Sequence, residues 1–246
     1  MNHGSLPAAL VAPAKLTLSL RVVGVRADGM HLVDAEMVTL DLFDTLWLHP
    51  GSGFEVHGPA APPGGLGDDD LVTRALRLVG RTARVHLHKR IPAGAGLGGG
   101  SSDAAAVLRW AGYDDVVGAA GLGADVAFSL VGGRARVTGI GEVVDPLPFE
   151  ERTVTLMTPP IHCSTPAVYR RWDELGGPQD PSGNDLTPAA LDLHPELARW
   201  RDRLGDATGE EPRLAGSGST WFVPGAHEGA HMTVASCVPT GWMPEG

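Results

Sequence analysis

The segment RIPAGAGLGGGSSDAAAVLRW, from Arg90 to Trp110, holds the residues of this chain best suited to chemistry. It begins like the end of a strand and thins to nearly bare backbone through Gly94, Gly96, Gly98, Gly99 and Gly100. It then becomes helix-forming. Five glycines in seven residues exceed what a plain turn of the chain requires. A polyphosphate needs many hydrogen-bond donors at short range. Backbone N–H groups supply them without side-chain entropy, provided no Cβ blocks the approach. A helix beginning near Ser101 aims its unpaired N–H groups and positive dipole end at the anion. Ser101 and Ser102 add hydroxyls for phosphate or magnesium, and Asp103 is placed to help cap the helix. The pattern lacks the Lys of a Walker A loop, and the flanking strands do not read as the repeated βαβ units of a dinucleotide site. The alternative is a loop that only turns the chain.

The elements that must position this segment follow from the rest of the sequence. With 246 residues, the chain is long enough for one large domain or two small ones. It is 43% hydrophobic and 20% charged, with a net charge of −10. That charge argues against nucleic acid or an anionic membrane as the main partner, but local donors can still hold a phosphorylated small molecule. The two cysteines, Cys163 and Cys237, show no CxxC spacing, which fits a reducing cytoplasm. No apolar run approaches the ~18 residues of a spanning helix, and the first residues lack the basic and apolar regions of a secretory signal. His86 and His88 in HLHKR fall on one strand face, where a solvated face is a simpler reading than a metal site.

Alternation makes APAKLTLSLRVVGVR a strand with Leu16, Leu18 and Leu20 on one face. Asp28-Gly29 then turns it into a hairpin with VDAEMVTL. DTLWLHPGSGFEVHG reads as two further short strands, residues 59–67 as a loop, DDDLVTRALRLVG as a helix stopped by Gly80, and ARVHLHKRI as a strand. RARVTGIGEVV reads as strands around a turn, and TVTLMTPP as a strand. Thr165 is expected to cap a helix that opens with Pro166, and HPELARWRDRLG is another helix. GGPQDPSGNDLTP is a loop, and EPRLAGSGSTWFVPG is strand, glycine turn, strand. The fold class is therefore α+β with mostly antiparallel sheets. A boundary near residues 147–153 gives halves 1–150 and 151–246 that share a cleft.

PAGAGLGGGSSDAAA (92–106) resembles the second signature of the GHMP kinases, a family of small-molecule kinases. PAKLTLSLRVVGVRADGMHLVDA, GADVAFSLVGGRARVTGIGE, GNDL (183–186) and LAGSGSTWFV resemble further segments of one branch of that family, in family order from Pro13 to Val223. The resemblance implies a two-domain GHMP kinase fold with the active site in a cleft between the halves. It implies transfer of the ATP γ-phosphoryl group, with Mg2+, to the 2-hydroxyl of a cytidine diphosphate-linked methylerythritol in non-mevalonate isoprenoid precursor synthesis. The enzyme would be cytoplasmic, as a monomer or a homodimer.

Carried onto this sequence, the resemblance assigns ATP to Pro92, Ala93, Gly94, Ala95, Gly96, Leu97, Gly98, Gly99, Gly100, Ser101 and Ser102. Lys15 and Asp125 match the catalytic pair: Asp125 takes the hydroxyl proton, and Lys15 stabilises the charge that develops. Taken alone, Lys15 reads as a strand-edge surface lysine and Asp125 as a helix cap. Substrate positions are Thr17, His31, Thr165, Tyr169, Asn184, Gly216, Ser217 and Gly218. Gly216 and Gly218 permit a tight turn that closes on phosphate, and Tyr169 offers a stacking surface. Two positions depart from the branch: Met30 stands where it has tyrosine, and Thr17 where it has asparagine. Three segments look short: Tyr113–Ala120, the loop between the helices of the second half, and the end after Val223, where most of a helix is missing. These departures leave open a kinase for another small alcohol, or a catalytically silent protein of the same fold.

Overall fold

The computed structural model describes residues 4–65, 67 and 69–244. Its frame is one long hairpin, β1 (Ala8–Val25) and β2 (His31–His49), antiparallel from Ala8↔Leu48 to Val25↔His31. The turn is built as Asp28-Gly29 predicts: Gly29 has φ +83° and the Asp28 carboxylate accepts from the Met30 N–H at 3.2 Å. DTLWLH is the end of β2 rather than a separate strand, because the ladder with β1 continues to Leu48 without a break in β2. Strands this long tolerate the sheet's curvature through register shifts: the extra residues are on β2, at 40–42, opposite Pro13/Lys15, and on β1 at Thr17/Ser19 and Val22/Gly24. The second shift splits the predicted leucine face. Leu16 and Leu18 join one core cluster with Val38, Leu40 and Leu97, whereas Leu20 joins another with Met37, Phe128 and Leu186.

The free edge of β2 is shared by three strands in succession. β4 (Arg84–His88) pairs with residues 45–49, β10 (Met232–Val238) with 39–40 and β5 (Arg134–Gly139) with 33–38. β3 (Gly53–His57) adds in parallel to β4, joined to it through helix α1 (Leu71–Leu78), and β6 (Val143–Pro146) adds to β5. β10 also pairs with β7 (Thr153–Met157), which continues to β9 (Trp221–Pro224) and β8 (Arg213–Leu214). The segment after Val223, expected to be the remnant of a lost helix, is thus the strand that joins the two ends of the sheet. Its alternation is short and interrupted by small residues, which hid it.

α2 (Gly99–Ala111) begins two residues before the expected Ser101, and Gly112 ends it with φ +75°. It packs with α1, α3 (Val116–Ala120) and α4 (Ala124–Val131) over the β1, β2, β4 face, around Leu46, Leu48, Val85, Leu87, Val107 and Leu108. Each such side chain contributes about 1.5–3 kcal/mol on burial. α5 (Thr165–Glu174), α6 (Thr187–Leu193) and α7 (Leu197–Thr208) cover the other end, around Trp172, Leu197, Leu204 and Trp221. Ser164, not Thr165, is the cap position of α5. α3 and α6 are missing from the sequence reading because five- and seven-residue helices show too little periodicity. Among the described residues no helix is long and apolar enough to cross a membrane.

Candidate active site

Lys15 is the centre of the site. The Pro13/Lys15 register shift lies just before it, and its side chain is only 6% exposed, so the reading as a surface lysine fails. Its ammonium lies 3.2 Å from the Asp125 carboxylate and donates to Thr17 Oγ1 at 3.0 Å. Asp125 stands in the first turn of α4, behind Gly123, with its carboxylate one third open to the cleft. Val126 and Phe128 root that helix in two different core clusters, which fixes the carboxylate between them.

The glycine run is held chiefly by its carbonyl side. Gly94 O accepts from Cys163 N–H at 3.2 Å, Ala95 O from Thr220 N–H at 3.2 Å and Leu97 O from Lys15 N–H at 3.0 Å. The first N–H groups of α2, at Gly99, Gly100 and Ser101, have no partner within the helix. Close approach explains the glycines at two positions. A Cβ on Gly96 (φ +77°) would lie 2.2 Å from Ala215 O, and one on Gly98 (φ +66°) would lie 2.7 Å from Lys15 Cγ. Gly96 is therefore the seam with the second glycine turn, 215–220, and Gly98 is the seam with the lysine stem.

That second turn is placed by Asn184. Its amide donates to Leu214 O at 2.8 Å and Gly216 O at 2.7 Å, and its oxygen accepts from Leu186 N–H at 3.0 Å. Asn184 is buried and fully engaged, so its geometry is that of a support for the turn. Ser217 Oγ in turn meets Thr165 Oγ1 at 2.8 Å.

One cavity of about 520 Å³ joins these parts. Of the sequence-predicted residues, Lys15, Thr17, His31, Gly96, Ser101, Asp125, Thr165, Tyr169, Gly216 and Ser217 line it. Ala95 and Leu97 are buried beneath the loop. Ser102 is buried as well and its hydroxyl donates to Pro13 O at 2.5 Å, so of the two serines Ser101 alone faces the cleft. Gly218 lies behind the turn, where a Cβ would face Leu214 and Cys163. Asp103 does not cap α2. Gly98, in the left-handed region, takes the cap position, and Asp103 is buried against Lys89 at 2.7 Å.

At the far end of the cavity His31 and Tyr169 form an aromatic wall, with ring centroids 4.7 Å apart and planes tilted by 35°. His31 Nε2 also meets Asp173 Oδ1 at 2.9 Å, and Trp172 packs edge-on at 5.7 Å. Burial pushes the Tyr169 hydroxyl well above the usual tyrosine range, and the Asp125 charge adds to the effect. Burial likewise pushes the Cys163 thiol up to about 11. The sequence reading missed Trp172 and Asp173, although their spacing of three and four from Tyr169 puts them on the same helix face. Met30 is exposed at the rim.

Among the described residues no cluster of three His, Cys, Asp or Glu side chains could hold a metal alone. The oxygens on offer, Ser101 Oγ and the Asp125 carboxylate, suit Mg2+, which keeps several waters and takes ligands from nucleotide phosphates.

Residues 70–133 match the GHMP kinases N terminal domain. The chain is similar to the 4-diphosphocytidyl-2-C-methyl-D-erythritol kinase of Paracoccus denitrificans, 39% identical over 86% of this chain and 84% of the relative. It is 37% identical to the enzyme of the same name from Cereibacter sphaeroides, over 94% of this chain and 95% of the relative. Among solved structures it resembles a 4-(cytidine 5'-diphospho)-2C-methyl-D-erythritol kinase, with a TM-score of 0.74 and 32% identity, over 94% of this chain and 99% of that one. A mevalonate pyrophosphate decarboxylase from Streptococcus pyogenes shares the fold, with a TM-score of 0.62 at 12% identity.

Proposed function

The chain belongs to the 4-diphosphocytidyl-2-C-methyl-D-erythritol kinases of the GHMP kinase superfamily, and from that premise we propose how its residues perform the reaction. It is an ATP-dependent kinase of isoprenoid precursor synthesis. Its acceptor is the 2-hydroxyl of the cytidine diphosphate-linked methylerythritol. The observation that carries this reading is the Lys15–Asp125 pair, 3.2 Å apart, in one cavity with the glycine loop on one side and the His31–Tyr169 wall on the other.

The run 92–102 receives the triphosphate, with the N–H groups at the start of α2 turned to its γ end. The cytosine packs on the His31–Tyr169 wall, and Thr165 and Ser217 hold the acceptor's polar backbone. Asp125 takes the proton of the acceptor hydroxyl. The oxygen so freed attacks the γ-phosphorus, the bond from γ-phosphorus to the β–γ bridging oxygen breaks, and ADP leaves with that electron pair. Lys15, held by Thr17, stabilises negative charge on the acceptor and transferred oxygens. Mg2+, bound by the phosphates and Ser101, would neutralise phosphate charge. Halves 1–150 and 151–246 both contribute to the cleft, and the buried, unpaired cysteines suit a cytoplasmic enzyme.

Met30 and Thr17 favour a second reading, a kinase of the same family for another small alcohol. Turnover of ATP with a panel of alcohols separates the two. The first reading expects turnover with the cytidine-linked alcohol. Turnover with a different alcohol alone would replace it, and nucleotide binding without any turnover would make the protein catalytically silent.

A further inference from the structure

The glycine loop is bounded on both sides by one buried ionic cluster. Lys89, Asp44 and Asp103 are 3%, 0% and 1% exposed. The Lys89 ammonium donates to Asp44 Oδ2 at 2.5 Å and to Asp103 Oδ2 at 2.7 Å. Asp44, on β2, also accepts from the backbone N–H groups of Arg90 and Ile91, at 2.5 Å and 2.9 Å. Those two residues carry β4 into the loop. Asp103 lies on the second turn of α2, the helix that leaves it. A Cβ on Gly99 would be 3.1 Å from Lys89 Nζ, so the ammonium sits directly under the first residue of that helix.

Such a cluster is a poor device for stability alone. Removing three charges from water costs several kcal/mol per ion, and well-packed apolar groups often serve as well. Its use lies in specifying one arrangement. A run with five glycines has more backbone freedom than any other sequence, yet its N–H groups must point at one place. The carbonyl contacts of Gly94, Ala95 and Leu97 fix the middle of the run. The ionic cluster ties its entry to its exit.

We propose that Lys89, Asp44 and Asp103 are positioning residues for ATP, clamping both ends of the glycine loop so that its amides are already arranged when the triphosphate arrives. The inference rests on the reading of 92–102 as the triphosphate cradle. Amide hydrogen exchange on the full chain, with and without ATP, tests both. In the wild type, ATP should protect the amides between Ala93 and Ser101, since Pro92 has no N–H and that of Ser102 is bonded to Gly98 O. No protection there would remove the cradle and the clamp together.

Given that protection, Asp103→Ala should speed exchange of the same amides in the free protein by ~10-fold and raise the KM for ATP by ~10-fold. The KM for the alcohol should stay within ~3-fold, a split that general destabilisation would not produce. Asp103→Asn should recover most of the loss, since its amide oxygen can accept from Lys89, and Asp103 Oδ1 has no partner among the described residues. If Asp103→Ala fails to fold, Asp103→Ser carries the same expectations. Unchanged exchange and an unchanged KM for ATP, or equal rises in both KM values, would overturn the clamp.

Discussion

Replacing Gly98 by alanine perturbs the seam between the phosphate loop and the catalytic lysine. Gly98 has φ +66°, and a side chain in that left-handed region costs about 1–2 kcal/mol. The new Cβ would also lie 2.7 Å from Lys15 Cγ and 3.2 Å from Lys15 Cε, where ordinary contact begins at 3.4 Å. The lysine cannot slide away as a unit, because its own N–H is bonded to Leu97 O at 3.0 Å in the same loop. Overpacking of this kind costs about 1–3 kcal/mol. The loss of stability should therefore be about 2–5 kcal/mol, a sizeable part of the roughly 5–15 kcal/mol typical of a folded protein. Displacing the stem by several tenths of an ångström moves the ammonium off its place beside Asp125, and kcat should fall by about 10- to 100-fold. Gly205→Ala, in α7 and away from the loop, is the control. Its Cβ would meet nothing nearer than Glu210 O and Pro212 Cδ at 3.5 Å, and alanine in a helix gains about 0.5–1 kcal/mol over glycine. Urea unfolding and steady-state kinetics read both effects. A Gly98→Ala protein as stable as wild type, or one that is destabilised but keeps its full kcat, would refute the packing of loop on lysine as described.

Three further outcomes are expected. Asp125→Asn should lower kcat by at least ~100-fold while the KM for ATP stays within a few-fold, and near-normal turnover would end its role as the base. Asn184→Ala strands the buried carbonyls of Leu214 and Gly216 and the N–H of Leu186, at about 1–3 kcal/mol, and should raise the KM for the alcohol as the 215–220 turn loosens; unfolding midpoints and kinetics check this. Burial, reinforced by the neighbouring Asp44 charge and opposed by Lys89, pushes Asp103 up from 3.8 to about 7. The folded state then holds that proton more tightly than the unfolded chain, so its contribution to stability is full at low pH and is lost as pH rises from about 4 to 7. The urea midpoint should accordingly fall between about pH 4 and pH 7, and Asp103→Asn should flatten that slope. An unchanged slope in the variant would assign the effect elsewhere.

What the sequence made legible were features set by local chemistry. The Asp28-Gly29 hairpin, the Gly80 and Gly112 helix stops and the glycine loop each depend on residues within a few positions of one another. The approach of Lys15 to Asp125 spans 110 positions and was readable only through likeness to the family. Local reasoning alone placed Lys15 on the surface, because nothing near it in the chain reveals that the 92–98 loop covers it. The role of β10 escaped for the same reason: a short strand with small residues is defined by its neighbours, β2 and β7, and not by its own pattern. Asp103 illustrates a local rule overridden. An acidic residue at a helix start favours a cap, but Lys89 and Asp44 from the sheet draw it into the core.

The most direct test is a crystal structure with a nonhydrolysable ATP analogue and the cytidine-linked alcohol bound together. The γ-phosphate should lie against the backbone N–H groups between Gly96 and Ser101, with the 2-hydroxyl of the alcohol ~3 Å from the Asp125 carboxylate and from the terminal phosphorus. A triphosphate bound away from that loop, or a hydroxyl that Asp125 cannot reach, would contradict the account.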